Sequence, residues 1–177
     1  ALRKDGLEGV VISARWPSYL WRKTISISEP LANLAGDPAK MAQARLEMQA
    51  SLDATLNVLE RAGLRVLVLG PNPEMIYSPP LCIGLRRGEH CNIPRTVNDA
   101  FIGDPTAALA EVVSRHPNSR LAEMANFFCD ADTCYAMRDG KILYIDDNHI
   151  SATAARELSV FFARDMNWLF GKVDGAN

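Results

Sequence analysis

Asp146 and His149 stand three residues apart at the end of the apolar run Leu143-Tyr144-Ile145. An imidazole works as a base toward a hydroxyl when one ring nitrogen is held in a fixed tautomer and the other is left open. A carboxylate three residues earlier can fold back in a tight turn and do the holding. The chemistry that such a pair serves is nucleophilic acyl transfer or ester hydrolysis, with His149 as base and Asp146 as its orienter. The competing reading is structural, because an Asp-rich turn ahead of a helix produces the same spacing without any catalysis. Asp147 could substitute for Asp146, but it is expected to face solvent or to cap the following turn. His90 and His116 have no carboxylate at a comparable spacing and are expected to be surface or loop histidines.

Cys82, Cys91, Cys129 and Cys134 form two close pairs along the chain. In a domain of this size that pattern suggests two local disulfides, Cys82 with Cys91 and Cys129 with Cys134, and hence an oxidising compartment. A zinc site using His90 or His116 as extra ligands is the alternative, and free buried thiols a third. The intervals are wider than the usual two-to-four-residue zinc knuckle, so no metal and no cofactor are expected.

The stretch from Cys129-x4-Cys134 through Gly140-Lys141-Ile142-Leu143-Tyr144-Ile145-Asp146-Asp147-Asn148-His149-Ile150-Ser151 closely resembles the C-terminal end of the SGNH domain of bacterial acyltransferase-3 proteins, the O-acetyltransferases of cell-surface polysaccharides. Gly9-Val10-Val11-Ile12-Ser13-Ala14-Arg15-Trp16 is similar to the strand plus Ala-Arg-Trp that this family carries where other SGNH enzymes have Gly-x-Asn-Asp. The likeness runs from about Gly9 to the last helix. It implies a three-layer α/β/α sandwich of the SGNH, flavodoxin-like kind with a parallel central sheet, and a Ser-His-Asp mechanism. It also implies that the nucleophile sits in a Gly-Asp-Ser block ahead of the Ala-Arg-Trp strand. Here Gly36-Asp37 and Gly103-Asp104 are both followed by proline, so the serine and the N-terminal strands are expected to lie outside this chain. Residues 1–177 would then be a single SGNH-like domain, incomplete at its N-terminus. The resemblance places Arg15 where an oxyanion donor or a binder of an acidic sugar substituent would be, and Trp16 as a stacking platform; the plainer roles are an ion pair for Arg15 and a cover over the strand end for Trp16.

The 177 residues, 48% of them hydrophobic and with a formal net charge of −2, can bury one sizeable core and give no electrostatic reason to expect nucleic acid. No window reaches the roughly 20 continuous apolar residues of a membrane span, and the first residues lack the apolar centre of a signal peptide. An export signal would therefore have to lie elsewhere.

The elements that must position these residues follow from periodicity. Gly9 to Ala14 and Leu64 to Gly70 are short β-branched apolar runs of the kind buried on both faces of a parallel sheet. Between them a long helix is expected from Asp37-Pro38 to Gly63, with Met41, Leu46, Met48, Leu52, Leu56 and Leu59 inward and Arg45, Glu47, Glu60 and Arg61 on a solvated face. A strand, helix and parallel strand make one crossover unit. Pro71-Asn72-Pro73 and Pro79-Pro80 mark an extended loop, and Pro105 to Arg115 reads as a second helix. Arg120 to Phe128 suits either a strand or a helix. Asp139-Gly140 predicts a hairpin turn, and Ser151 an N-cap for a helix over 152–168 with Ala155, Leu158, Phe161, Phe162 and Met166 inward.

Taken with the resemblance, these features lead to the expectation of an O-acetyltransferase domain on the periplasmic face of the bacterial inner membrane. Its expected partners are an acyltransferase-3 membrane domain, an acetyl donor and a polysaccharide acceptor such as lipopolysaccharide O-antigen, exopolysaccharide or peptidoglycan. A noncatalytic carbohydrate-binding or interaction module of the same fold is the first alternative, and an SGNH acetylesterase the second.

Overall fold

The computed structural model describes residues 6–21, 38–86 and 91–171. In chain order its first half contains β1 (Gly9–Ile12), α1 (Pro17–Trp21), α2 (Pro38–Arg61), β2 (Arg65–Leu69), α3 (Pro79–Arg86), β3 (Ile93–Pro94) and α4 (Arg95–Val113). After these come β4 (Ser119–Ala122), α5 (Ala125–Phe128), β5 (Thr133–Cys134), β6 (Met137–Arg138), β7 (Lys141–Ile142), α6 (Ala152–Phe161) and α7 (Ala163–Leu169). Two compact units divide the chain: Ala1–Pro71, Asp104–Ala122 and Ala163–Asn177 form one, Asn72–Gly103 and Glu123–Phe162 the other. The architecture is mixed α/β with a parallel sheet, as the sequence predicts.

The first unit is built on the sheet β1-β2-β4, parallel throughout, with Val10 opposite Val66 and Val68 opposite Leu121. β2 is its centre: Val66, Leu67 and Val68 are completely buried, so neither face of this strand meets water. Side chains alternate along a strand. Val66 and Val68 therefore share one face, where they join Met48, Leu52 and Leu56 of α2 and Ala108, Leu109 and Val112 of α4 in one apolar cluster, while α7 also packs on β2. Each such aliphatic side chain contributes roughly 1.5–3 kcal/mol on burial. The inward residues of α2 are Ala44, Met48, Leu52 and Leu56, a strict four-residue step, and Leu46 is exposed, contrary to the expected stripe. Gly63 ends the helix with φ 75°, a left-handed residue that lets its N–H reach Glu60 O and the Leu64 N–H reach Leu59 O.

Two residues expected to be solvated are engaged. Arg45 pairs with Asp104 and Glu111, and Glu60 with His116. His116, expected at the surface, is buried. The expected cap Asp37 and the residues around His90 lie outside the described residues.

The second unit holds the two short antiparallel pairs, β3 with β5 and β6 with β7, around a core containing Phe127, Phe128, Leu143 and Tyr144. The rings of Phe128 and Tyr144 lie 5.1 Å apart between centroids. Both expected disulfides are present, Cys82–Cys91 and Cys129–Cys134, which removes the thiolates a zinc site would need. The Asp139-Gly140 turn forms with both residues at positive φ, 51° and 74°, the backbone of a type I′ hairpin.

Three boundaries differ from expectation. α4 begins at Arg95 and carries Pro105 inside it; a proline loses its own hydrogen bond and crowds the carbonyl of the preceding turn, a local cost that a helix packed through Ala108, Leu109 and Val112 can carry, so it does not oblige a helix to start there. The ambiguous 120–128 stretch divides into β4 and α5. The last helix breaks at Phe162 into α6 and α7, and its buried residues are Ala154, Leu158 and Leu169, with Ala155 and Phe161 exposed.

Candidate active-site loop

The loop that carries Asp146 and His149 is anchored at both ends before either side chain acts. On the entering side Leu143 and Tyr144 are buried, and the Leu143 N–H donates to Ala136 O at 2.9 Å. On the leaving side Ser151 caps α6, its hydroxyl accepting the Ala154 N–H at 3.1 Å and donating to Ile142 O at 2.9 Å. Between the two anchors Tyr144 and Ile150 form an antiparallel bridge and the Ile145 N–H reaches His149 O at 2.9 Å. Residues 146–148 are thus forced to turn within a closed backbone frame.

Inside that frame the Asp146 carboxylate is divided between two tasks. Oδ1 accepts the backbone N–H groups of Asn148 at 2.8 Å and His149 at 2.6 Å, while Oδ2 lies 2.7 Å from His149 Nδ1. Burial would raise the Asp146 pKa, but the two backbone donors and the imidazole outweigh it and bring the value down to about 2. A permanently ionised carboxylate at Nδ1 favours the tautomer with hydrogen on Nδ1 and the lone pair on Nε2. His149 is 72% exposed, and its Nε2 makes no hydrogen bond to a described residue. This is the arrangement a general base needs: one nitrogen fixed, the other presented outward.

Asp147 is half-buried and its backbone carbonyl, rather than its carboxylate, is the group in use, accepting the Met75 N–H at 2.7 Å. Sequence reasoning missed the segment responsible. Asn72 donates through Nδ2 to Asn148 O at 2.9 Å, and Glu74 Oε1 accepts from Asn148 Nδ2 at 3.2 Å. The only local signal was an asparagine between two prolines. Tyr144, beneath the loop, is 1% exposed, and burial pushes its hydroxyl well above the ordinary tyrosine range, with the Asn72 amide opposing.

Arg15 and Trp16 belong to the first unit, on the turn joining β1 to α1. Arg15 is exposed, and its carbonyl accepts both the Ser18 N–H at 3.0 Å and the Ser18 hydroxyl at 2.7 Å. Trp16 is buried and donates its indole N–H to Leu69 O at 2.6 Å, which ties the turn to the end of β2. Trp16 also lines a cavity of about 410 Å³ together with Tyr19, Glu47, Met48, Ser51 and Thr55. Among the described residues no group of histidine, cysteine and acidic side chains is arranged to hold a metal ion, and no helix is long and apolar enough to cross a membrane.

The family model described as SGNH domain (fused to AT3 domains) matches residues 1–164, and the chain belongs to that family. No curated protein and no solved structure matches it.

Proposed function

We propose that this domain supplies the base and the orienting carboxylate of an O-acetyltransferase that places acetyl groups on a hydroxyl of a cell-surface polysaccharide. The observation that carries the reading is the Asp146–His149 pair, held through Nδ1 and open at Nε2. Family membership supplies its context, an SGNH domain fused to AT3 domains, and hence an acyltransferase-3 membrane domain as partner within the parent protein.

In the proposed reaction a serine hydroxyl from outside these residues attacks the acetyl carbonyl of the donor while Nε2 of His149 takes its proton. Collapse of the tetrahedral intermediate expels the donor's leaving group, which leaves with that proton, and an acetyl-serine remains. The sugar hydroxyl then attacks the acetyl-serine, again losing its proton to Nε2, and the serine oxygen departs carrying the proton back. Asp146 stays ionised throughout; it keeps the ring in the productive tautomer and stabilises the imidazolium that forms twice per cycle. Arg15, with its fixed guanidinium fork, is assigned to the oxyanion or to an acidic sugar substituent. Trp16, whose N–H is occupied by Leu69, is assigned through its ring face to the acceptor.

The two disulfides favour an oxidising compartment and so the periplasmic face of the inner membrane. The deciding experiment is acetylation of polysaccharide by the complete parent protein carrying His149→Ala. Unchanged acetylation would eliminate the base assignment, and turnover of a water-soluble acetyl ester without transfer to sugar would favour the esterase alternative.

A further inference from the structure

We infer that the segment Asn72–Met75 is a brace that sets the orientation of the Asp146 carboxylate, and that Asn72 is a positioning residue for the base, an inference that rests on His149 acting as proposed above. The argument lies in the peptide groups of the loop. The Asn148 N–H that reaches Asp146 Oδ1 belongs to the same planar peptide unit as the Asp147 carbonyl, and that carbonyl accepts the Met75 N–H at 2.7 Å. The His149 N–H that reaches the same oxygen shares its peptide unit with the Asn148 carbonyl, which accepts Asn72 Nδ2 at 2.9 Å. In a trans peptide the carbonyl and the N–H point in opposite directions. Two consecutive peptide units are therefore each held at both ends, by the carboxylate of Asp146 on one side and by the brace on the other.

This arrangement has two consequences. A peptide unit fixed at its carbonyl cannot rotate, so the two N–H groups keep converging on Oδ1 and the remaining oxygen, Oδ2, stays aimed at His149 Nδ1. A carbonyl that accepts a hydrogen bond also polarises its own N–H, which strengthens the bond made to the carboxylate. The Asn72 amide has two protons, and its second bond goes to Pro73 O at 3.1 Å. The amide also faces the Tyr144 hydroxyl, so Asn72 is engaged within the fold and acts on the base by positioning the loop.

The test uses two variants, Asn72→Ala and the isosteric Asn72→Asp, which keeps the shape but cannot donate to Asn148 O. In the 177-residue chain, the carboxyl carbon resonance of Asp146 is followed by NMR as a function of pH, and the nitrogen shifts of the His149 ring report its tautomer; thermal unfolding confirms that each variant is folded. Both variants are expected to raise the Asp146 titration midpoint from about 2 toward its ordinary value and to increase the share of His149 protonated on Nε2. In the complete parent protein kcat for acetyl transfer is expected to fall by about 10²-fold, the scale of a small misplacement of a reacting group, with KM unchanged. Folded variants with wild-type Asp146 titration overturn the inference, whether or not activity falls. If His149→Ala retains full activity the proposed function fails, but the Asp146 titration still decides whether the brace exists.

Discussion

Among the described residues a histidine is placed against carboxylates twice. In the first unit His116 is 5% exposed and lies between Glu60, whose Oε2 is 3.0 Å from Nδ1, and Asp53, whose Oδ1 is 3.2 Å from Nε2. Asp53 and Glu60 are seven residues apart on α2 and so share one helical face. Glu60 also accepts the Asn118 N–H, and Asp53 also pairs with Arg115. In the second unit His149 has a single carboxylate and an open Nε2. Extra carboxylates thus make a worse base: with both nitrogens facing anions the ring is stabilised doubly protonated and has no lone pair for a substrate hydroxyl. His116 is a clamp between α2 and the connection into β4; His149 is placed for proton transfer.

The largest expected effect tests that difference directly. His149→Ala in the parent protein should lower kcat for acetyl transfer by at least about 10⁴-fold, as expected when the base of a triad is removed. His116→Ala, assayed per folded molecule, should leave kcat near wild type. Equal losses in the two variants would collapse the distinction between clamp and base.

Asp146→Asn tests the fixed nitrogen. The amide can still accept at one atom, but it no longer selects the tautomer, and kcat should fall by on the order of 10²–10⁴. Because the carboxyl titrates near 2, below its ordinary 3.8, it contributes to stability above about pH 3.8 and loses that contribution as pH falls through 2. The advantage of wild type over the variant should therefore shrink as pH falls from about 4 toward 2, and an advantage that stays unchanged over that range would contradict the low pKa.

A third contrast is covalent. Both disulfides belong to the second unit, closing loops with sequence separations of 9 and 5 residues. By loop entropy each stabilises by roughly 2–3 kcal/mol. Reduction of both should lower hydrogen-exchange protection of buried amides at Phe128 and Leu143 by about 10³–10⁴-fold while those at Val66 and Val68 keep theirs. Uniform loss over both sets would mean that the units unfold as one.

What was legible in the sequence divides along the same line. Asp146 and His149 could be read because the pair is local: every hydrogen bond to the carboxylate comes from within three residues. The ends of α2 were readable from Pro38 and Gly63, which act through their own backbone preferences, and the disulfides from close cysteine spacing. The brace was not readable, because Met75 contributes only its N–H, a group nearly every residue has, to a carbonyl far along the chain. The environment of His116 was hidden for a similar reason, since its two carboxylates come from a helix more than 50 residues earlier. The break at Phe162 lacks any glycine or proline to mark it, and Leu46 was misplaced because the buried stripe of α2 advances by fours from Ala44.

The smallest effect concerns the clamp itself. Burial opposes charge on His116, but the hydrogen bonds its ring donates to Glu60 and Asp53 and the negative charges of those carboxylates outweigh it, so its pKa in the folded protein lies above the ordinary 6.5. A raised folded-state pKa gives stability that is fully present below about pH 6.5, where the ring is protonated folded or unfolded, and that disappears as pH rises through the folded value. The charged groups around the ring are Glu60 and Asp53 from α2 and Arg115 beside it, which pairs with Asp53 at 3.1 Å. His116→Gln can hydrogen-bond to these carboxylates but cannot become charged. Across pH 6 to 9, the Tm advantage of wild type over this variant should be greatest at the acid end and shrink as pH rises. The effect should also weaken in high salt only modestly, because a nearly buried pair is poorly screened. Parallel Tm curves for the two proteins over that range would show that the ring is neutral in the fold and that His116 is held by hydrogen bonds without charge.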